Sequence, residues 1–178
     1  MAAAQTRLAG RRAALGLPAD AKAIGLSWRS GNAAFGVHKS APLAAWAPIL
    51  RQPGLVFVSV QYGDSTAELA SLETETGHRI WQDAAVDPLR DMEAAAAQFA
   101  TLDLVITVSN TAVHLAGGLG IPTWLLLPSP GQGLLWYWGV AGETVPFYPS
   151  LRCFRQEKPG DWQGPIAAAA ANLAGFMR

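Results

Sequence analysis

LVITVSNTAVHLAGGLGI, residues 104–121, decides the fold class of this chain. Its first five residues, Leu104–Val108, are apolar or β-branched, which is typical of a strand buried on both faces. Ser109, Asn110 and Thr111 follow, and serine and asparagine are ordinary helix N-cap residues. A largely apolar helix is predicted from there to about Gly120. A buried strand that turns directly into a helix is the building unit of parallel α/β sheets.

The same alternation extends in both directions along the chain. Apolar segments predict further strands at 23–28, 55–60, 79–81, 123–127 and 151–154. Helices are predicted at 2–15, 42–50, from Ser65 onward, at 91–99 and at 161–177. We therefore expect a single Rossmann-like, doubly wound parallel sheet over 1–178, with an N-terminal helix at 2–15, an α/β core at 23–156 and a C-terminal helix at 161–177.

The composition excludes several classes of protein. Of 178 residues, 51% are hydrophobic, which is far too many for a disordered chain. The 13 basic and 13 acidic residues cancel, and without a basic run we expect no binding to nucleic acid. The single cysteine, Cys153, excludes an internal disulfide and indicates a reducing compartment. Because the sequence has neither a signal-peptide core nor an apolar run of about 20 residues, we expect a soluble, cytoplasmic protein with no membrane span.

Ligands of doubly wound folds bind beyond the carboxyl ends of the strands, which directs attention to two segments. The first is the loop at 29–40. Gly31 and Gly36 have the spacing that opens a phosphate-binding P-loop, but Val37 and His38 precede Lys39, which argues against a nucleoside triphosphatase. Backbone N–H groups, Asn32 and Lys39 can still hold a diphosphate. The alternative is a surface loop with a solvated lysine.

The second segment is the turn at 109–114. First-turn N–H groups and the helix dipole favour an anion there, although capping alone also explains Ser109 and Asn110. His114 is either functional or simply packed. Gly117 and Gly118 each cost about 1 kcal/mol relative to alanine in a helix, which indicates close packing or a site that needs room.

Two further groups of residues are candidates with open alternatives. Gln61 and Gly63 end the second strand, where a base or ribose often lies, or they form a polar turn. The aromatic residues of one long loop form either a pocket wall or a surface buried against another domain; they are Trp136, Tyr137, Trp138, Phe147 and Tyr148.

Other familiar signals are missing from the sequence. No Gly-x-Gly-x-x-Gly follows the first strand, so a dinucleotide site is not expected, and no Gly-x-Ser-x-Gly indicates a hydrolase. His38, His78 and His114 are too scattered to predict a metal site.

The stretch 105–122 resembles the nucleotide-binding turn of glycosyltransferases with the two-domain GT-B fold. It is similar to ADP-heptose:lipopolysaccharide heptosyltransferases. It resembles more closely the C-terminal domain of bacterial tetratricopeptide-repeat glycosyltransferase-like proteins, relatives of O-linked N-acetylglucosamine transferase. Further stretches agree in order and spacing, at 24–32, 39–43, 136–138, 148–156 and 160–162.

The resemblance implies the C-terminal, donor-binding half of a metal-independent glycosyltransferase, with a nucleotide-diphosphate sugar as donor and no cofactor. Lys39 would meet the diphosphate, and the turn from Asn110 to Ala112 would offer it N–H groups. Some relatives have aspartate where Ser109 stands, so a carboxylate is lost here. The expected nucleotide- and diphosphate-binding residues are Ser30, Gly31, Asn32, Lys39, Gln61, Gly63, Ser109, Asn110, Thr111, Ala112 and His114.

The resemblance also implies an N-terminal Rossmann domain elsewhere in the protein, with or without tetratricopeptide repeats before it. Without that domain we expect the chain to bind nucleotide and transfer no sugar. Two alternatives remain open: a non-catalytic scaffold or interaction domain with a decayed nucleotide site, and a nucleotide-binding enzyme of another class.

Overall fold

The structure is a computed structural model that describes residues 21–131 and 133–176, together with 10, 12, 13, 16 and 18. Its described strands are β1 (Lys22–Ser27), β2 (Leu55–Ser59), β3 (Ile80–Trp81), β4 (Leu104–Val108), β5 (Thr123–Leu127) and β6 (Leu151–Arg155). The described helices are α1 (Gly36–Lys39), α2 (Ala47–Leu50), α3 (Thr66–Thr76), α4 (Met92–Phe99), α5 (Thr111–Gly118) and α6 (Gln163–Phe176). Short 3₁₀ turns cover Leu43–Trp46 and Trp136–Trp138.

The six strands form one sheet in the order β3-β2-β1-β4-β5-β6, and every neighbouring pair is parallel. This is the Rossmann order, in which the strand sequence reverses between β1 and β4. The predicted doubly wound parallel sheet is therefore confirmed. In register, Leu26 of β1 lies beside Ser59 of β2 and Ile106 of β4.

The strands are apolar on both sides because both faces of the sheet are covered. On one face, Ile24 and Ile106 pack with Trp46 and with Ile166 of α6. On the other face, Val58 and Val105 form a cluster with Phe99 of α4, and the same cluster includes Ala112 and Ala116 of α5. A third cluster joins α5 to β5 and β6 and contains Trp138 and Cys153.

Most predicted boundaries agree with the structure within two residues. Asp91 caps α4 as expected, because its carboxylate accepts a hydrogen bond from the N–H of Ala94 at 2.8 Å. Two predictions need correction: the loop at 29–40 contains the short helix α1, and the helix predicted at 42–50 begins as a 3₁₀ turn. The predicted helix at 2–15 lies almost wholly outside the described residues, as does residue 177.

None of the helices described between residues 36 and 118 or at 163–176 is long and apolar enough to cross a membrane.

Candidate functional site

A polar cleft of about 310 Å³ lies at the carboxyl ends of β1 and β4, where the strand order reverses. Its walls come from four places: the loop after β1, the loop after β2, the turn from β4 into the first turn of α5, and the loop after β5. The lining residues are Ser30, Asn32, Lys39, Tyr62, Ser109, Asn110, Thr111, His114, Leu135 and Tyr137. The fold thus brings seven of the eleven predicted site residues into one cleft.

Asn110 positions this cleft by joining β1, β4 and α5. Its side-chain amide donates hydrogen bonds to Ser27 Oγ at 2.7 Å and to the Arg29 carbonyl at 3.0 Å. Its side-chain oxygen accepts from the N–H of Ala112 at 2.9 Å and from Thr107 Oγ1 at 3.2 Å. Every polar atom of this side chain is therefore used inside the protein, and Asn110 is a helix cap and cross-strand brace.

Gln61 has a similar structural position. Its side-chain oxygen accepts hydrogen bonds from Ser27 Oγ and from the N–H groups of Trp28 and Arg29, all at 3.0–3.1 Å. Its amide donates to the carbonyls of Arg29 and Tyr62. Gln61 is buried and does not line the polar cleft, so it links the ends of β1 and β2.

Gly31, Gly63 and Ala112 also lie outside the lining of the cleft. The N–H of Gly31 donates to the hydroxyl of Tyr62, and the N–H of Ala112 is taken by the Asn110 cap. Gly63 has a positive φ of 74° and lies in the turn after β2. For the described residues, the N–H of Thr111 at the start of α5 has no acceptor, so it is open to a ligand.

Lys39 is the prominent charge of the cleft. Its side chain is only 5% exposed, and its ammonium has no hydrogen-bond or ion-pair partner among the residues the structure describes. Burial lowers the pKa of Lys39 from its ordinary value. Arg29, by contrast, is paired with Glu68 at 2.9 Å. A buried cation without a counter-charge favours an anionic ligand.

The loop that carries Lys39 is tightly folded. Asn32 accepts hydrogen bonds from the N–H groups of Ala34 and Phe35, at 3.0 and 2.8 Å, and so shapes the turn before α1. Gly36 lies so close to the preceding backbone that a Cβ there would come within 2.4 Å of the Ser30 carbonyl oxygen. The second glycine of the P-loop-like spacing is therefore needed for this close approach of backbone to backbone, whereas a Cβ on Gly31 would meet the Tyr62 side chain at 3.1 Å.

His114 lies in an aromatic cage beside Lys39. Its ring stacks on Trp138 with centroids 5.2 Å apart, and its Nδ1 is 3.0 Å from the Tyr148 hydroxyl. Its Nε2 lies 3.5 Å from the Tyr137 hydroxyl. Burial, and secondly the charge of Lys39, lower the pKa of His114 from its ordinary value. The lowered pKa favours the neutral imidazole, and the contacts with Trp138 and Tyr148 hold the ring in one orientation.

The side chain of Ser109 has a structural role. Its hydroxyl accepts a hydrogen bond from the indole N–H of Trp138 at 2.8 Å, and its side chain is buried. Trp138 is itself stacked on His114. The serine thus anchors the aromatic cage.

Sequence reasoning did not single out Tyr62 and Leu135. Both line the polar cleft, but they reach it from loops whose path only the folded chain defines. The sequence signal that could have identified Tyr62 as a lining residue was its position directly after Gln61, at the end of a predicted strand. Within the described ranges no three His, Cys, Asp or Glu side chains come together to hold a metal ion.

The fold of this site occurs in solved structures of sugar-transferring enzymes. The E. coli ADP-heptose LPS heptosyltransferase II superposes with a TM-score of 0.66 and 16% identity, over 97% of this chain and 51% of that one. The E. coli heptosyltransferase WaaC, solved with ADP, gives a TM-score of 0.62 and 16% identity, over 90% of this chain and 46% of its own. The fold is that of one half of a GT-B enzyme.

One protein that is similar in sequence is much longer than this chain. Protein FlbA of Caulobacter vibrioides is 37% identical over 154 residues, which are 86% of this chain and 25% of that protein. The chain thus spans about a quarter of this relative and about half of the two heptosyltransferases. No protein-family model matches the chain. The similarity to tetratricopeptide-repeat proteins and to O-linked N-acetylglucosamine transferase stays a prediction.

Proposed function

We propose that this chain is the nucleotide-sugar-binding domain of a metal-independent glycosyltransferase. The observation that carries the proposal is Lys39, a largely buried side chain in a polar cleft at the switch point of a GT-B half, whose ammonium has no partner among the described residues. The open N–H of Thr111 adds positive potential at the start of α5. Together these groups would bind the diphosphate of a nucleotide sugar.

A second feature supports a nucleotide. An apolar pocket of about 300 Å³ adjoins the polar cleft and shares Tyr62 and Thr111 with it. The pocket, lined also by Val60, Leu89 and Met92, has the size and surface that suit a nucleobase. A nucleoside diphosphate would therefore place its base in the apolar pocket and its phosphates beside Lys39.

The chemistry follows from these positions. In sugar transfer the bond from the anomeric carbon to the diphosphate breaks, a bond to the acceptor oxygen forms, and the acceptor hydroxyl loses its proton. Lys39 and the start of α5 would stabilise the negative charge that grows on the leaving diphosphate. The acceptor and the base that takes its proton would be held by a second Rossmann domain, with or without tetratricopeptide repeats. FlbA, most of whose length lies outside the match, has room for such domains.

Calorimetric titration with UDP, GDP, ADP and CDP tests the proposal. One nucleotide is expected to bind with micromolar to millimolar affinity, and Lys39→Met should weaken it by about 1–3 kcal/mol. Methionine keeps the length of the side chain, and Lys158→Met, at an exposed position, is the matched control that should leave affinity unchanged. Absence of nucleotide binding, or equal binding by Lys39→Met, would contradict the proposal.

A non-catalytic domain with a decayed site is the second candidate. It is favoured by Ser109 and Ala112, because the serine is committed to Trp138 and the Ala112 N–H to Asn110. Fewer groups then remain for phosphate than the resemblance implies. This alternative predicts that no nucleotide binds and that Lys39→Met changes no affinity, so the same titration separates the two candidates.

A further inference from the structure

The polar cleft opens on its other side into an aromatic recess of about 560 Å³. The recess is lined by His114, Trp136, Tyr137, Phe147 and Tyr148, and it shares His114 and Tyr137 with the polar cleft. Trp136 is 84% exposed and Phe147 is 59% exposed. A soluble surface rarely presents aromatic rings so openly without a partner for them.

We infer that this aromatic recess binds the sugar ring of the donor, and that the sugar is uncharged. The inference rests on the proposed function, because it places the sugar next to a diphosphate held by Lys39. The cleft lies between two recesses of different chemistry, and a nucleotide sugar has its diphosphate between a base and a sugar. The apolar pocket shares Tyr62 and Thr111 with the cleft, while the aromatic recess shares His114 and Tyr137.

The side chains of the recess suit a sugar. A sugar ring has C–H groups that pack on the face of an aromatic ring, and exposed Trp136 and Phe147 supply such rings. Sugar hydroxyls need polar partners, which the hydroxyls of Tyr137 and Tyr148 provide, since each keeps hydrogen-bonding capacity beyond its contact with His114. No Lys, Arg, Asp or Glu is among the five lining residues, so the recess has no counter-charge for an acidic sugar.

The geometry of His114 supports this assignment. Its ring is fixed by Trp138 and by Tyr148, and it lies at the border between the polar cleft and the recess. A neutral imidazole donates one hydrogen bond and accepts another, and the hydroxyls of Tyr148 and Tyr137 lie at its two ring nitrogens, 3.0 and 3.5 Å away. His114 is thus placed where the diphosphate meets the sugar, as a positioning residue.

The test compares each nucleoside diphosphate with its sugar conjugate on the whole chain: UDP with UDP-glucose, ADP with ADP-glucose, GDP with GDP-mannose and CDP with CDP-glucose. For the nucleotide that binds, Trp136→Ala should weaken binding of the conjugate about fivefold or more and leave the diphosphate within about twofold. Phe147→Ala should act in the same direction. Val140→Ala, in the same loop, 71% exposed and outside the recess, is the control.

A variant of the apolar pocket gives the opposite pattern. Leu89→Ala should weaken the diphosphate and the conjugate equally, because both carry the base. If Trp136→Ala weakened both ligands equally, the recess would hold the base, and if it weakened neither, another part of the protein would cover the aromatic rings. Either result overturns this inference while diphosphate binding still upholds the proposed function. Failure of every diphosphate to bind would reject both.

Discussion

At the residue scale, two adjacent glycines of α5 have opposite surroundings. A Cβ on Gly117 would come within 2.7 Å of ring atoms of Tyr148, whereas a Cβ on Gly118 would meet nothing within 4 Å. Gly117 therefore lets Tyr148 pack against α5 and reach His114. The expectation of close packing is confirmed for Gly117, and nothing in the structure explains Gly118.

Gly117→Ala is expected to destabilise the chain by about 1–3 kcal/mol, because an overpacked ring must move. Gly118→Ala, the matched control one residue away, should be neutral or stabilising by about 0.5–1 kcal/mol, since alanine favours the helix. Chemical denaturation measures both changes. Equal effects of the two substitutions would show that Tyr148 does not pack against α5 as described.

The lowered pKa of His114 should make the free energy of unfolding depend on pH. Burial and the charge of Lys39 hold its pKa below the ordinary value, while the unfolded chain restores a pKa of about 6.5. Below that pH the unfolded state binds a proton that the folded state lacks. The free energy of unfolding should therefore fall as the pH drops through about 6.5 towards the folded pKa, and this contribution should then level off.

Urea denaturation between pH 7.5 and 5 measures this dependence, and an NMR titration gives the pKa of the imidazole directly. His114→Gln should remove part of the pH dependence. His78→Gln, which changes an imidazole outside the cleft, should leave it intact. A His114 pKa at or above its ordinary value would disprove the described environment of the aromatic cage.

At the element scale, the ends of β1, β2 and β4 are joined by side chains as well as by the sheet. Ser27, Gln61 and Asn110 form a continuous hydrogen-bonded set across the three strand ends. This set fixes where α5 starts relative to the loop of Lys39. Because these groups are buried, each lost partner leaves another polar atom unsatisfied.

Asn110→Ala is accordingly expected to destabilise the chain by about 2–4 kcal/mol, as the sum of a lost cap and unsatisfied buried groups. Asp91→Ala removes the cap of α4, whose carboxylate accepts from the N–H of Ala94 at 2.8 Å in an exposed turn, and should cost about 1 kcal/mol. The difference between the two variants in urea denaturation measures the cross-strand set. Equal losses would mean that Asn110 acts as a cap alone.

At the scale of the whole molecule, exposed apolar side chains are unevenly distributed. Of the large hydrophobic side chains that are exposed among the described residues, all but Leu119 lie in the segments that follow β1, β3 and β5, either in loops or in the first turns of α1 and α4. They are Phe35, Val37, Leu89, Met92, Trp136, Val140 and Phe147. These segments also line the polar cleft, the apolar pocket and the aromatic recess, which is where a GT-B half would meet a second domain.

The chain by itself is therefore expected to bind nucleotide weakly and to transfer no sugar. A longer protein that includes a second Rossmann domain should protect Phe35, Leu89 and their neighbours from hydrogen exchange and should tighten nucleotide binding. Leu119 and its neighbours serve as the internal control, because they lie between the end of α5 and the start of β5, on the side of the sheet where the strands begin. Turnover of a nucleotide sugar by the 178-residue chain alone would contradict this prediction.

The sequence by itself determined the sheet and its two covered faces. Apolar strand segments such as Leu104–Val108 and caps such as Asp91 are local signals, because burial and capping depend on neighbours along the chain. The same signals placed Lys39 and the turn at Ser109 near strand ends. Seven of the eleven expected residues do lie in the cleft, because the carboxyl ends of parallel strands meet on one side of the sheet.

Only the tertiary structure decided what each side chain does there. Gln61 and Asn110 have residue types that suit a ligand, yet partners more than 30 positions away use their polar atoms. Lys39 has no ion-pair partner among the described residues, because the fold brings no carboxylate of that part of the chain within ion-pair distance of its ammonium. Competition among distant groups for one partner is a property of the folded molecule, which no local pattern records.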